Sequence, residues 1–352
     1  MTEQTFISID LFSGVGGLTE GLRKAGFETK FAFEINPVAS KAYSMNHADT
    51  VVITQDIRQV NLDEIKKKLN GAEIHLLAGC PPCQGFSSIR RLNRAKPVDD
   101  KRNDLINEYV RFVKYFMPYT IMLENVPWLL QDALFVKAKQ ELENIGYKNI
   151  VADVLNVKDY GVPQNRRRLV MIGSRLGPIE LAPSISKKVT VRACIGNLPV
   201  PKDSNDPLHK IFPTHTKKVQ KLINDIPHNG GSRKDLGKDR QLVCHTKKNI
   251  GFHDVYGRLR WDDCSSTITG GCLNPSKGRF LHPEQNRCIS AREAALLQSF
   301  PKGYQFPTDV SKGAIALMIG NALPPKFSCY HARNIKKHLQ EYLGNAKISD
   351  TK

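Results

Sequence analysis

The 352-residue sequence contains no uninterrupted apolar run of 18 residues, the length that a membrane-spanning helix requires. Its start, Met1 to Gln4, lacks the basic and apolar regions of a secretory leader, so we expect no signal peptide. Only 8 cysteines are present, and their scattered spacing fits neither a disulfide framework nor a zinc site with two Cys-x-x-Cys pairs. These absences predict a protein of the cytoplasm, where thiols stay reduced.

Acidic residues are scarce relative to basic ones: 34 Asp and Glu stand against 52 Lys and Arg, which gives a net charge of +18. Such an excess favours a polyanionic partner, most often nucleic acid, although a merely soluble basic protein also fits the charge. A hydrophobic content of 40% suffices for a packed core. The length predicts two domains, or one large domain with an insertion.

The stretch GCPPCQGFS, residues 79–87, follows a short apolar run at 74–78 that is typical of a buried strand. Because proline restricts its own φ and the residue before it, the chain must turn here and deliver Cys83 to the carboxyl end of the strand. Ligands bind at that edge of open α/β sheets. Cys83 is then an inert buried thiol, a redox or half-zinc partner of Cys80, or a nucleophile.

A glycine-rich turn follows the first predicted strand, residues 6–12, and precedes a helix predicted at 18–25. Such a turn lets the backbone approach a ligand closely. The dinucleotide-binding pattern G-x-G-x-x-G does not match, because Thr19 stands where the third glycine belongs. The turn therefore indicates a nucleoside other than NAD.

Acidic residues end the next two predicted strands. Glu34 is placed to bind ribose hydroxyls, and Asp56 to accept from an adenine amino group while Ile57 packs on the ring. For each carboxylate the alternative is a helix N-cap or a solvated loop. A glycine turn and two acidic groups at three strand ends in series favour a nucleoside site.

Two further segments carry charged residues after Cys83. Glu124 follows a strand predicted at 120–123 and can protonate a ring nitrogen as a general acid, unless it is a surface residue. If 164–168 is extended, Gln164, Arg166 and Arg168 share one face, where one guanidinium orients a base carbonyl and another braces the loop. The alternative is an exposed basic turn.

The segment 177–313 is rich in Pro, Gly and Asn, and it carries 22 Lys and Arg against 12 Asp and Glu. Its short strand-like runs predict a basic, β-rich domain whose charge suits a polyanionic partner. Polar residues that flank Gly270-Gly271 are candidates for such a contact, although each one fits better in a strand or turn that makes no such contact.

In this order the motifs resemble those of the 5-cytosine DNA methyltransferase family, of the bacterial restriction-modification type. The resemblance covers nearly the whole chain and rests on Asp10 to Gly17, Glu34, Asp56-Ile57, Pro82-Cys83-Gln84, Glu124-Asn125-Val126, Gln164-x-Arg166-x-Arg168, Arg292-Glu293, Leu297 to Pro301, and Gly320-Asn321-Ala322 with Pro324-Pro325. One departure is Cys80, where many relatives carry glycine.

The resemblance implies an α/β fold: a doubly wound, mostly parallel seven-stranded sheet of the S-adenosylmethionine-dependent methyltransferase type, with a smaller β-rich target-recognition domain. The implied catalytic domain is 1–176 plus 314–352, and the recognition domain is 177–313. The implied cofactor is S-adenosylmethionine without metal. The implied partner is double-stranded DNA, bound by a monomer, with a cognate restriction endonuclease acting separately and no membrane.

The resemblance also assigns site residues. The catalytic residues are Cys83, which attacks the 6-carbon of a flipped cytosine, Glu124 at the ring nitrogen, Arg166 on the carbonyl oxygen, and Arg168 behind it. The cofactor residues are Asp10, Phe12, Ser13, Gly14, Gly16, Gly17, Glu34, Ile35, Asp56, Ile57, Pro82, Leu105, Asn321 and Ala322. The DNA contacts are Gln84, Ser87, Arg90, Arg91, Gln164, Arg258, Arg260, Thr267, Thr269 and Lys277.

Three alternatives stay open on the sequence alone. A relative with the same site can methylate cytosine in RNA, and a silent relative can bind DNA and only flip or sequester bases. A nicotinamide dehydrogenase is the third alternative, and Thr19 in the glycine turn disfavours it.

Overall fold

The computed structural model describes residues 5–82, 104–185, 187–237, 240–241 and 254–349, with side chains through residue 344. The chain forms two compact units. Unit 1 comprises Met1–Asn156, Arg167–Ile185 and Leu323–Lys352, and unit 2 comprises Val157–Arg166 and Ser186–Ala322. The functional domain boundaries proposed from the sequence stay a prediction.

Unit 1 is built on a seven-stranded sheet with the strand order β3-β2-β1-β4-β5-β7-β6. The strands are β1 (Phe6–Leu11), β2 (Phe27–Phe33), β3 (Val51–Ile53), β4 (Leu76–Gly79), β5 (Thr120–Asn125), β6 (Val151–Asn156) and β7 (Arg167–Ser174). Strands β1 to β5 pair in parallel, and β7 runs antiparallel to both of its neighbours. The predicted doubly wound, mostly parallel sheet is confirmed. Its order reverses between β1 and β4, which is where such sheets bind ligands.

Helices connect the strands of unit 1 and form most of the regular structure of unit 2. In unit 1 they are α1 (Gly17–Ala25), α2 (Pro37–Ser44), α3 (Leu62–Leu69), α4 (Leu105–Phe116), α5 (Ala133–Asn144) and α10 (Pro325–Ser349). In unit 2 they are α6 (Val191–Ile195), α7 (Lys217–Asp225), α8 (Ala291–Leu297) and α9 (Lys312–Asn321). None of the helices in the described ranges is long and apolar enough to cross a membrane.

The central strands are buried along their length, as parallel strands covered on both faces must be. All residues of β4 and β5 are buried, which explains their nearly continuous apolar sequence. Helix α4 buries Tyr109, Phe112 and Val113, a spacing that gives one apolar helical face. The Phe112 ring packs edge-on against Phe33 of β2, with 5.0 Å between ring centroids. This packing holds the helix against the sheet near the switch point.

The last helix packs on the helix that follows the glycine turn. Its Ser328 hydroxyl donates to the Gly17 carbonyl over 3.3 Å. Gly21 has no room for a side chain, since a Cβ there would lie 2.0 Å from Ser328 Oγ. We infer that this close approach is the reason for glycine at position 21.

The predicted β-rich character of 177–313 is wrong for the part of the segment that the structure describes. No strand forms there, and extended pairing consists of isolated bridges such as Arg258↔Leu281. In a β-sheet, backbone carbonyls accept hydrogen bonds from a neighbouring strand. Here the buried Arg258 guanidinium donates to several of them instead. Its acceptors are Ile223 O, Ile226 O, His282 O, Gln285 O and Asn286 Oδ1, at distances of 2.9, 3.1, 3.0, 2.8 and 2.5 Å.

Arg258 is therefore corrected from a candidate DNA contact to a structural residue, because its side chain is 0% exposed and points into unit 2. Burial lowers the pKa of its guanidinium to about 10. The hydrogen bonds to four main-chain carbonyls hold α7 and the 282–286 segment together.

We expect Arg258→Met to lower the free energy of unfolding by at least about 3 kcal/mol, because several buried acceptors lose their donor at once. Denaturant unfolding of the whole chain measures this effect. Arg260→Met is the matched control, since Arg260 is exposed two residues away. Its expected change is within about 0.5 kcal/mol. Equal stability of the two variants would contradict the structural role of Arg258.

Candidate active site

The glycine turn after β1 lies at the switch point of the sheet. Phe12, Gly14 and Gly16 have φ of 59°, 56° and 88°, in the left-handed region that glycine adopts without strain. The amide of Ser13 donates to Phe33 O over 3.0 Å, which ties the turn to the end of β2. A Cβ built on Gly14 would meet no atom within 4 Å, so the turn presents open backbone at that point. Gly17 then starts α1.

Glu34 reaches back from the end of β2 to this turn. Its Oε2 accepts from Gly14 N and its Oε1 from Asn36 N, each over 2.8 Å. Burial raises the pKa of the Glu34 carboxyl, and these two amides oppose that shift. Ile35 beside it is 63% exposed, a large apolar surface in front of the turn. The structure thus brings together the glycine turn and the acidic strand end that the sequence predicted as neighbours.

Asp10 lies beneath the turn and is fully buried. Its Oδ2 accepts from Thr19 Oγ1 over 2.6 Å, and the Tyr43 hydroxyl donates to Thr19 Oγ1 over 2.8 Å. Asp10 Oδ1 has no hydrogen-bond partner among the described residues. Burial raises the pKa of Asp10 to about 7, only partly offset by the Thr19 hydroxyl. In the sequence, Thr19 stands out only because it replaces the third glycine of the dinucleotide-binding pattern. Its role as the donor to Asp10 was not predicted.

The raised pKa of Asp10 predicts a pH-dependent stability. Between the ordinary value of 3.8 and about 7 the folded protein binds a proton that the unfolded chain has released, so stability falls as pH rises through this window. At one pKa unit per 1.36 kcal/mol, the loss is up to about 4 kcal/mol. We expect Asp10→Asn, without added cofactor, to gain stability over the wild type from pH 5 to pH 8. Thermal melting against pH measures the difference, and parallel curves for the two proteins would refute it.

The other predicted cofactor residues are in varied settings. Asp56 follows β3, and the hydrogen bonds that it accepts from Arg58 lower its pKa. Its oxygens accept from Arg58 N over 3.0 Å and Arg58 Nη2 over 2.5 Å, so an adenine amino group would share this acceptor. Ile57 is 5% exposed. Pro82 and Leu105 are half-buried in unit 1, and Asn321 and Ala322 end α9 in unit 2.

Glu124 lies within β5, whereas the sequence placed it just after the strand. It is 8% exposed, and its Oε1 lies 3.0 Å from Arg168 Nε. The two residues face each other because Glu124 pairs with Val170 of the antiparallel β7, which leaves Arg168 in the diagonal position. Burial lowers the pKa of the Arg168 guanidinium, and Glu124 opposes that shift.

Hydrogen bonds hold Cys80 and Pro81, which precede Cys83, beside this ion pair. Asn125 Nδ2 donates to Pro81 O over 2.8 Å, and Cys80 N donates to Leu11 O over 3.2 Å. The structure thus joins the Pro-Pro turn to both β1 and β5. The predicted nucleophile Cys83 and the predicted DNA contacts Gln84, Ser87, Arg90 and Arg91 lie outside the described residues.

The arginine motif shows the predicted period of two, and its two arginines have different partners. Gln164 and Arg166 are buried and Arg168 is half-buried, while Asn165 and Arg167 between them are exposed. Arg168 pairs with Glu124, whereas Arg166 donates to two main-chain carbonyls of unit 2, Ile268 O at 2.8 Å and Gly320 O at 3.0 Å. The expected assignment, with Arg166 on the base and Arg168 behind it, stays a prediction.

Gln164 is also corrected from a DNA contact to a structural residue. It is 0% exposed, and its Oε1 accepts from Ile268 N over 2.9 Å while its amide donates to Gln298. Gln298 donates in turn to Ile319 O and Ala322 O, each over 2.9 Å. This buried network links four segments of unit 2 that are distant in sequence. The sequence marked Gln298 only as part of a structural motif.

The remaining DNA candidates of unit 2 are accessible to different degrees. Arg260 and Lys277 are exposed, and Thr267 and Thr269 are half-buried. Thr267 Oγ1 donates to Asn165 O over 2.8 Å, and Thr269 Oγ1 accepts from Gly271 N over 3.3 Å. Within the part of the chain that the structure describes, no group of three or more His, Cys, Asp or Glu side chains could hold a metal ion.

A sheet of this strand order, with a glycine turn and an acidic residue at successive strand ends, defines the class of nucleoside-binding α/β enzymes that includes methyltransferases. Comparison with known proteins narrows this class. Residues 6–337 match the profile of the C-5 cytosine-specific DNA methylases. The chain belongs to this family and is a DNA (cytosine-5-)-methyltransferase.

Curated relatives agree with this assignment. The Type II methylase M.HgiDII of Herpetosiphon aurantiacus is 34% identical over 345 residues, covering 94% of this chain and 95% of the relative. The Type II methyltransferase M1.HphI of Haemophilus parahaemolyticus is 34% identical over 327 residues, covering 90% and 83%.

Solved structures share the fold. A protein described as a DNA modification methyltransferase encoded within an E. coli prophage has a TM-score of 0.69 at 26% identity, covering 95% of this chain and 99% of that one. The S. pombe Dnmt2 methyltransferase, at a TM-score of 0.62 and 17% identity, covers 96% and 99% and supports the fold alone.

Proposed function

We propose that this enzyme modifies cytosine at its 5-carbon within a short specific sequence of duplex DNA, as the methylating half of a bacterial restriction-modification system. The observation that carries the proposal is the buried Glu124–Arg168 pair beside the start of the Pro-Cys loop in a chain of this family. Relatives named as Type II methyltransferases support the restriction-modification context. A separate endonuclease, a monomeric enzyme and a cytoplasmic site of action belong to the same proposal.

Methyltransferases of this family use S-adenosylmethionine, which supplies an electrophilic methyl group when bound. The switch point fits a nucleoside of this kind. Gly14 leaves open space where a side chain would intrude, and Ile35 offers an exposed apolar surface for a ring. Glu34 can accept from ribose hydroxyls beside the turn, and Asp56 from an adenine amino group. Asp10 Oδ1, buried without a partner among the described residues, is a further acceptor at this end of the sheet.

The chemistry begins at Cys83 in this proposal. Carbon 5 of cytosine is a poor nucleophile, but addition of the Cys83 thiolate to carbon 6 moves an electron pair into the ring and makes carbon 5 an enamine carbon. After methylation, carbon 5 loses its proton and the thiolate leaves, which restores the aromatic ring. Covalent addition therefore replaces one difficult step with easier ones.

Glu124 and Arg168 act on the base while Cys83 is attached. As a carboxylic acid, Glu124 donates a proton or hydrogen bond to the ring nitrogen as negative charge develops there. Arg168 holds the carboxyl in place and directs positive charge toward the same edge of the base. The Arg166 bonds to main-chain carbonyls instead support the loops of unit 2.

A base inside a duplex is out of reach, so the cytosine must leave the stack at a cost of a few kcal/mol. Phosphate contacts by the basic chain offset this cost. The exposed Arg260 and Lys277, with Gln84, Ser87, Arg90, Arg91, Thr267 and Thr269, are the proposed contacts.

The direct test is transfer of labelled methyl from S-adenosylmethionine to mixed-sequence duplex DNA, followed by bisulfite sequencing. We expect 5-methylcytosine in one short sequence context. An equal amount of transfer RNA as competitor tests the RNA alternative, and preferential labelling of RNA would overturn the DNA assignment. A covalent complex with DNA that contains 5-fluorocytosine distinguishes the enzyme from a silent base-flipping protein.

A further inference from the structure

Trp128 is a large exposed aromatic residue at the end of the sheet that carries Glu124. It lies just after β5, in a 3₁₀ turn that spans Pro127–Gln131. Leu129 of the same turn is 1% exposed and packs into the core of unit 1. Because neighbouring residues of a 3₁₀ helix point about 120° apart, the burial of Leu129 directs Trp128 away from the core. Trp128 is accordingly 49% exposed.

The register of the sheet places this turn beside the arginine motif. Asn125 at the end of β5 pairs with Leu169 of the antiparallel β7, so the chain beyond Asn125 continues along Arg168 and Arg167. The turn contacts β7 and also β6, whose last residue pairs with Arg167. Arg168 forms the ion pair with Glu124, whereas Arg167 is exposed. An exposed aromatic ring and an exposed guanidinium therefore lie at the same edge of unit 1 as the ion pair.

The length of chain between Glu124 and Trp128 limits how far apart these residues lie. Four residues span at most about 14 Å when fully extended, and the compact turn shortens this distance. A flipped cytosine stays bonded to its strand through its sugar and phosphates, so the neighbouring nucleotides of the duplex remain close to it. The major groove alone is about 12 Å wide, so DNA bound at Glu124 covers a range of this size.

We propose that Trp128 is a DNA-contacting residue and that its indole stacks on a nucleotide that flanks the flipped cytosine. This assignment rests on the proposed function, in which Glu124 acts on that base. Flipping breaks the stacking of the target base with its neighbours and leaves their faces uncovered. An indole ring binds such a face whatever the sequence, because every base has a π-face. Arg167 supplies a positive charge for a phosphate at the same edge.

Tryptophan fluorescence tests the contact directly, because the chain has only 2 tryptophans. Trp261 is 6% exposed, and its indole Nε1 donates to Glu284 Oε1 over 2.7 Å. The Trp261→Phe variant of the full chain therefore reports on Trp128 alone, and Trp128→Phe reports on Trp261 alone. We expect duplex DNA that contains the methylated sequence to lower acrylamide quenching of Trp128 by at least about 3-fold, since a stacked ring is shielded. Quenching of Trp261 should not change.

Substitution of Trp128 measures how much the contact contributes to DNA binding. Trp128→Ala should weaken binding by about 5- to 100-fold in fluorescence anisotropy, as loss of one base–aromatic stack does. Trp128→Phe keeps a ring and should bind within about 3-fold of the wild type. The single-turnover rate at saturating DNA should stay within about 3-fold in both variants, because the indole contributes to binding and not to the bond changes.

Val51→Ala is the control for loss of an exposed apolar side chain. Val51 is 50% exposed and is the first residue of β3, at the opposite end of its strand from the edge where ligands bind. Its replacement should leave DNA affinity at the wild-type value. Thermal melting of each variant confirms that the comparison is made between folded proteins.

Three results would overturn the contact even if the enzyme methylates DNA normally. The first is quenching of Trp128 that is the same with and without DNA. The second is a Trp128→Ala enzyme that binds DNA like the wild type, or that binds normally but loses its single-turnover rate, since the residue would then support Glu124 and not the DNA. The third is Trp128 emission that changes with protein concentration alone, which would assign the ring to a contact between two copies of the chain.

Failure of the proposed function is a separate result. A wild-type enzyme that transfers no methyl group to DNA refutes that function. Protection of Trp128 by mixed-sequence duplex DNA then decides whether the ring contacts DNA.

Discussion

Replacing Glu124 by glutamine is expected to lower kcat by about 10²- to 10⁴-fold, the usual contribution of a positioned general acid. Glutamine has the shape of glutamate and can still accept from Arg168, but it has no carboxyl proton to give to the ring nitrogen. The buried site should therefore stay folded while the chemical step fails. Single-turnover methyl transfer on duplex DNA measures the step directly, and fluorescence anisotropy measures DNA binding, which we expect to stay within about 3-fold of the wild type.

Glu141→Gln on α5 is the control for a lost carboxylate charge. Glu141 accepts from Lys114 Nζ over 2.5 Å in a partly exposed pair, and this hydrogen bond lowers the pKa of the Glu141 carboxyl. An exposed pair of this kind contributes little. We expect kcat of this variant to equal that of the wild type. An equal loss of activity in both variants would show that the effect at Glu124 reflects general electrostatics and not acid catalysis.

Replacing Cys83 by serine is expected to reduce methyl transfer to the background of the assay. A free thiol has a pKa of about 8.5, so a few per cent is thiolate near neutral pH, and a thiolate is intrinsically very nucleophilic. A serine hydroxyl is far less acidic and does not add to carbon 6 without a dedicated base. The covalent complex with 5-fluorocytosine DNA should disappear from denaturing gels together with the activity.

Cys264→Ser serves as the control for this substitution, because it makes the same chemical change at a half-buried thiol of unit 2. It should form the covalent complex at the wild-type rate. A Cys83→Ser enzyme that still forms a covalent complex would mean that another group attacks the base.

The sequence by itself determined which end of the sheet carries the glycine turn and the acidic residue. A glycine turn after β1 and an acidic residue at the end of β2 are local signals, and parallel strands bring their carboxyl ends to one edge whatever the packing details are. The contact between Glu34 and Gly14 N therefore follows from order along the chain. The ordered motifs also determined the family, since each is short but their sequence is specific.

Only the tertiary structure decided which arginine meets Glu124. The period of two put Gln164, Arg166 and Arg168 on one face, but the pairing of β7 with β5 alone sets Arg168 diagonal to the carboxylate. Residues distant in sequence also meet because neighbouring strands bring them together, as Asn125 of β5 meets Pro81 after β4.

In the segment 177–313, too, local sequence did not determine the structure. Its short apolar runs predicted β-strands. In the structure, the buried Arg258 side chain donates to carbonyls that could otherwise pair in a sheet. Local strand preference cannot predict these five hydrogen bonds, because their acceptors are distant in sequence. Charge periodicity likewise cannot tell a guanidinium that faces DNA from one that is sealed inside the fold. Burial makes that distinction, because it depends on which distant segments pack around the side chain.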